Sequence, residues 1–175
     1  MIKVGHRGAM GYEPENTFLA FQKAIDVRAD MIELDVHACK SGELVVMHDE
    51  TVDRTTDGHG YIKDKTLTEL KGLRGEKNQR IPTLTEVLDF ADRKIKFNIE
   101  LKGKNTAKPV CAIIDRYVEE KEWSYEDFIV SSFNHGELWK IKFINREIKI
   151  GVLSKVVPPI KFMSFVKTIK PYSVN

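Results

Sequence analysis

Met31-Ile32-Glu33-Leu34-Asp35-Val36-His37 decides the fold. A short apolar run of this kind reads as a buried strand, and buried strands rarely carry charge unless it is paired or holds a metal. Glu33 and Asp35 are two residues apart, so they share one face. The same design recurs twice. Phe97-Asn98-Ile99 leads into Glu100-Leu101-Lys102, and Met1-Ile2-Lys3-Val4 leads into His6-Arg7-Gly8. A fourth cluster, His48-Asp49, follows the run Leu44 to Met47. In a parallel α/β barrel the carboxyl ends of the strands are where active sites are built. Three carboxylates, two histidines and two cations arriving at such ends point to a metal-assisted hydrolase.

Working outward, strand-like and helix-like segments alternate. Pro14 and Asn16-Thr17 open a helix, with Asn16 or Thr17 as its cap and Phe18, Phe21 and Ile25 as its buried stripe. Thr66-Leu67-Thr68-Glu69 and Thr83-Leu84-Thr85-Glu86 match the capping box, so each predicts a helix start. Strands are expected at 31–37, 44–47, 95–101, 128–132, 148–153 and 172–175. Helices are expected at about 106–122, 135–145 and 159–169, the last with Pro158-Pro159 in its first turn. The β-then-α order predicts a parallel sheet. If Ser41-Gly42 is a two-residue hairpin turn, Asp35 faces His48, and Glu33, Asp35 and His48 share one face. A one-residue slip would send His48 to the other side.

The chain has 175 residues, 42% of them hydrophobic, enough for one domain with a sizeable core. Its net charge of +2 hides an asymmetry: residues 1–93 carry 13 Lys/Arg against 17 Asp/Glu, residues 94–175 carry 15 against 9. The lysines of the basic half lack interleaved aromatics, so they read as solvated helix faces rather than a nucleic-acid surface. Cys39 and Cys111 show no CxxC spacing, and no basic segment followed by an apolar one opens the chain, so a cytoplasmic protein is expected. No apolar stretch approaches the ~20 residues of a membrane span.

Glu33, Asp35 and Glu100 offer hard oxygen ligands, which suit Mg²⁺ or Ca²⁺ better than Zn²⁺. The alternatives are an exposed edge strand for the first two and a surface Glu100–Lys102 ion pair for the third. His6 and His48 could supply general acid and base. Arg7 and Lys102 could stabilise charge on a phosphoryl oxygen, Arg as a bidentate fork and Lys as a point charge. His37, His59 and His135 read as surface or loop histidines. Trp123 and Trp139 are expected to pack helices against the barrel.

With these residues in view, the sequence resembles the glycerophosphodiester phosphodiesterase family. The matching stretches are His6-Arg7-Gly8, Pro14-Glu15-Asn16-Thr17, Glu33-Leu34-Asp35-Val36, Val46-Met47-His48-Asp49, Asp53-Arg54-Thr55-Thr56, Ile81-Pro82-Thr83-Leu84, Asn98-Ile99-Glu100-Leu101-Lys102 and Ser131-Ser132-Phe133. They follow the family's order and spacing from residue 5 to about 154. The resemblance implies a TIM (β/α)8-type barrel in one domain, 1–175, with an inserted segment at roughly 49–80 over its top. It also implies a divalent cation on Glu33, Asp35 and Glu100, with His6 and His48 as the acid/base pair and Arg7 and Lys102 on the phosphate. The expected reaction is hydrolysis of a small glycerophosphodiester to glycerol 3-phosphate and an alcohol, in lipid and glycerol metabolism. A lysophospholipase D-like specificity and a non-catalytic phosphate-binding module are the alternatives.

The family continues with a tryptophan-containing strand and a last strand ending in aspartate, which this sequence lacks. A full barrel takes ~250 residues. We therefore expect about six of eight barrel strands, two absent βα units, and open edges on the first and sixth strands that could mediate self-association.

Overall fold

The computed structural model describes residues 1–154, 166, 169 and 171–174. The helix expected at 159–169 lies almost wholly outside the described residues. The strands are β1 (Val4–Gly5), β2 (Met31–Ala38), β3 (Leu44–Val46), β4 (Lys96–Leu101), β5 (Phe128–Ser132), β6 (Lys149–Val152) and β7 (Ser173–Val174). The helices are α1 (Phe18–Asp26), α2 (Leu67–Gly72), α3 (Leu84–Ala91), α4 (Ala107–Glu120) and α5 (His135–Ile144). The order β1-β2-β4-β5-β6-β7 is parallel throughout, and β3 alone pairs antiparallel with β2. This is the α/β arrangement expected, with six parallel strands and a hairpin.

The pleat sorts the side chains. Ile32, Leu34 and Val36 of β2, Phe97, Ile99 and Leu101 of β4, Val130 of β5 and Ile150 of β6 join one core with the apolar faces of the helices. The alternate residues Glu33, Asp35, Asn98, Glu100 and Ser131 therefore point to the opposite, inner face. Parallel register places Asp35 beside Glu100 and Glu100 beside Ser131. Trp123 packs among Phe97, Tyr117 and Phe128 in the core, as expected. Trp139 does not: it is half exposed on α5, because the buried stripe of that helix runs through Leu138 and Ile141 instead.

Both capping boxes form as read, with Thr66 and Glu69 on α2 and Thr83 and Glu86 on α3. The segment 49–80 holds α2, two short helical turns and isolated bridges, with no strand of the sheet. A small second core pins it down, in which Val52, Ile62 and Leu70 pack on Cys39, Val45 and Met47.

The hairpin register differs from the one expected. Ala38 pairs with Leu44 and Val36 with Val46, so the loop is Cys39 to Glu43, with Gly42 at φ +101°. This is the one-residue slip, and it puts Met47, not His48, opposite Asp35: the Met47 amide donates to the Asp35 carbonyl at 3.0 Å. The strand ends at Val46, however, so the alternation no longer governs His48.

Candidate active site

The site is assembled around Gly8. At φ +80° it occupies backbone space that L residues rarely adopt, and a Cβ there would lie 2.7 Å from the carbonyl carbon of Ala20 in α1. That close approach seats the loop 6–17 against α1, and the Gly8 amide ties it to β2 by donating to the Glu33 carbonyl at 3.2 Å. Arg7 (φ 51°) and Asn16 (φ 56°) also take left-handed backbone, and the Asn16 amide donates to the Arg7 carbonyl at 2.9 Å. The loop thereby folds back on itself and delivers His6, Arg7, Glu15 and Asn16 to the carboxyl end of β2. Thr17, not Asn16, caps α1. This frees the Asn16 amide group to donate to Asp35 Oδ2 at 2.9 Å.

Glu33, Asp35 and Glu100 converge on the inner face, each at most 7% exposed, with one oxygen of each within 4.8 Å of the others. The exposed-edge alternative for Glu33 and Asp35 does not hold, and the Glu100–Lys102 ion pair does form but within the site rather than on the surface. Glu33 Oε2 accepts from the Arg7 amide at 2.9 Å and lies 3.8 Å from His6 Nε2. Lys102 Nζ sits 2.7 Å from Glu100 Oε1 and 3.3 Å from Asp35 Oδ1, close contacts but off the hydrogen-bonding direction. Arg7 Nε is 3.6 Å from Asp35 Oδ2. Glu33 Oε1, Asp35 Oδ1 and Glu100 Oε1 are all buried without a hydrogen-bond partner. Of the three, Asp35 Oδ1 and Glu100 Oε1 have only the Lys102 ammonium beside them. A hard divalent cation satisfies such a carboxylate cluster, so the residues present fit such an ion.

Electrostatics follow from this crowding. Burial and the neighbouring Asp35 push the Glu33 carboxyl up to about 7. Burial and Arg7 lower His6, which favours a neutral imidazole. His48 lies across the mouth, with Nδ1 2.7 Å from Asp49 Oδ1 and its carbonyl 3.1 Å from His37 Nε2. His37 is therefore a buried residue that holds the His48 backbone, not a surface histidine. His135 opens α5, with Nε2 2.9 Å from the Leu153 carbonyl, while His59 is exposed.

The sequence profile of the Glycerophosphoryl diester phosphodiesterase family matches residues 6–167. The chain belongs to that family. A glycerophosphodiester phosphodiesterase of Caldanaerobacter subterraneus is 45% identical over 162 residues, 87% of this chain and 66% of that protein. This chain thus spans just under two thirds of that relative's length. A human lysophospholipase D is 34% identical over 67% of this chain and 42% of its own. Among solved structures, an Oleispira antarctica phosphodiesterase in complex with the product sn-glycerol-3-phosphate superposes with a TM-score of 0.87. It is 27% identical and covers 99% of this chain and 74% of its own. The six parallel strands of this chain thus superpose on the family's barrel fold, as the resemblance implied, and among the described residues the sheet is not closed. Among the described residues no helix is long and apolar enough to cross a membrane.

The structure brings His6, Arg7, Glu33, Asp35, His48, Glu100 and Lys102 to one end of the sheet. Sequence reasoning missed the work of Asn16 and Arg54, noted Asp49 only as part of the His48-Asp49 cluster, and suggested Glu15 as a support behind the ligands. Glu15 accepts from Arg7 at 2.9 Å, and the match of Pro14-Glu15-Asn16-Thr17 and Asp53-Arg54-Thr55-Thr56 to the family pointed to Asn16 and Arg54.

Proposed function

We propose that this chain carries a metal-dependent phosphodiesterase site that hydrolyses glycerophosphodiesters to glycerol 3-phosphate and an alcohol. The carrying observation is the buried trio Glu33, Asp35 and Glu100, with His6, Arg7 and Lys102 within 4 Å of its carboxylate oxygens. Held by these three carboxylates, Mg²⁺ or Ca²⁺ supplies Lewis-acid polarisation of a phosphoryl oxygen. Arg7 and Lys102 bring positive charge to the same mouth and offset that of the transferring phosphoryl group. Of His6 and His48, one takes the proton from the nucleophile and the other gives one to the leaving alcohol. Asn16 holds Asp35, and the Arg7 amide holds Glu33, so that the carboxylates stay in place.

The relatives' names fit this reading, and the glycerol phosphate bound in the Oleispira protein matches the expected product. The human relative raises a lysophospholipid substrate. Against it, segment 49–80 has few large apolar residues, and two of them, Ile62 and Leu70, are buried in the second core. Both cysteines are free and buried, which suits a reducing compartment and the cytoplasm.

The test is release of the alcohol, choline or ethanolamine, from glycerophosphocholine and glycerophosphoethanolamine, beside release of choline from lysophosphatidylcholine, with and without chelator. We expect turnover of the soluble diesters that chelator abolishes and Mg²⁺ or Ca²⁺ restores. Chelator-insensitive turnover refutes the metal, faster turnover of the lysolipid refutes the substrate class, and binding of glycerol phosphate without turnover refutes catalysis.

A further inference from the structure

The stretch Asp53-Arg54-Thr55-Thr56 plays no part in the reaction as set out above. Yet Arg54 leaves the inserted segment and grips two carboxylates at once. Its Nη1 and Nη2 donate to Glu15 Oε2 and Oε1 at 2.9 and 2.7 Å. Its Nε and Nη2 donate to Asp49 Oδ2 and Oδ1 at 2.6 and 3.2 Å. Each carboxylate in turn holds a group of the proposed machinery. Glu15 Oε1 accepts from Arg7 Nη1 at 2.9 Å, and Asp49 Oδ1 meets His48 Nδ1 at 2.7 Å.

We propose that Arg54 is a positioning residue: through Asp49 it locks His48 in the Nδ1–H tautomer, and through Glu15 it aims the Arg7 guanidinium. The inference rests on the reading of His48 as a proton-transfer group. Hydrogen-bond chemistry fixes the tautomer. An ionised carboxylate only accepts, so Nδ1 must carry the hydrogen, and a neutral imidazole then presents its lone pair on Nε2. The Arg54 fork holds the Asp49 carboxyl well below the usual carboxylate range, at about 2, so Asp49 is ionised at any working pH. A planar fork spanning two carboxylates is Arg chemistry that the Lys point charge does not reproduce. Segment 49–80 thus completes the site as well as covering it.

The decisive measurement needs no substrate. Nitrogen NMR of histidine-labelled wild-type protein, with the His48 signals assigned by their loss in His48→Gln, reads which ring nitrogen is protonated. We expect the hydrogen on Nδ1 in the wild type. In Asp49→Asn we expect it on Nε2, because the amide can turn its NH₂ toward Nδ1. In turnover of glycerophosphocholine, Asp49→Asn should lose kcat by about 10²–10⁴ and Asp49→Ala by less. Arg54→Ala should lose about 10- to 100-fold in kcat, with metal affinity by titration calorimetry unchanged, and Arg54→Lys should recover little of it. Wild-type His48 protonated on Nε2, or Arg54→Ala with near wild-type kcat, overturns the proposal. A wild type that turns over no glycerophosphodiester refutes the reaction instead, and the tautomer then upholds or overturns the lock by itself.

Discussion

Glu33→Gln should make the metal-free protein more stable and its metal-bound form less so. In the folded chain the Glu33 carboxyl is pushed from 4.5 to about 7, by burial first and by the Asp35 charge second. A carboxylate whose folded value is raised destabilises the fold wherever it must ionise. The penalty is absent below the unfolded value, grows through the interval, and is complete above about 7. At ~1.4 kcal/mol per unit the full penalty is about 3 kcal/mol. Gln removes the charge and keeps an oxygen for the Arg7 amide, the bond Glu33 makes at 2.9 Å. With chelator at pH 8, Glu33→Gln should therefore be more stable by about 3 kcal/mol, or up to roughly 6–12 °C in Tm for a domain of this size. At pH 5 the advantage should shrink below about 1 kcal/mol. Mg²⁺ or Ca²⁺ at about 1,000 times its Kd should reverse the order, because it then stabilises the wild type by about 4.1 kcal/mol and binds the variant less. Urea unfolding at both pH values, with and without the ion, reads all of this. A variant no more stable than wild type at pH 8 in chelator would refute the charge-crowding argument.

Gly8→Ala should cost about 2–4 kcal/mol by urea unfolding, since φ +80° and a contact of 2.7 Å to the α1 backbone leave its Cβ nowhere to go; a loss below about 1 kcal/mol would show that the loop 6–17 is not seated as described. His6→Ala and His48→Ala should each lower kcat by about 10²–10⁴ while metal affinity by calorimetry stays within a few-fold, and retention of kcat in either would remove that histidine from proton transfer. Asp49, lowered from 3.8 to about 2 chiefly by Arg54, stabilises the fold above the unfolded value, and that stability is lost as pH falls through about 2. Arg54→Ala should therefore be less stable than wild type at pH 5, and the gap should close between pH 4 and 2; a gap that stays constant would show that the clamp leaves Asp49 unshifted.

How much of this was legible follows the range of each interaction. Strand ends bearing Glu33, Asp35 and Glu100 are local patterns; the sheet placed Glu33 and Asp35 on one face as their two-residue spacing requires, and the parallel register of β4 on β2 brought Glu100 to them. The capping boxes at Thr66 and Thr83 are equally local and formed as read. The Arg54–Glu15 contact spans 39 residues, from a segment with no hydrophobic period to a loop with left-handed backbone. No window of sequence contains both partners, so only the family match pointed to either stretch. Trp139 failed for a related reason: a large apolar residue on a helix reads as buried, and which stripe is buried depends on neighbours elsewhere in the chain.

His48 is the instructive case, because the strand register from which its place was expected does not hold. The expected two-residue turn would have pointed His48 to the Asp35 face by pleat alternation. The observed five-residue loop shifts the register by one and gives that place to Met47. Alternation binds a side chain only while its residue is in the ladder, and the ladder stops at Val46. Beyond it, His48 is held by groups that take no account of strand period: His37 on its carbonyl, and Asp49, itself gripped by Arg54, on its ring. A site residue placed this way tolerates a register that would have misdirected it inside the strand. The requirement moves from the hairpin turn to the clamp, so substitutions in the loop 39–43 should disturb the site less than a single change at Arg54.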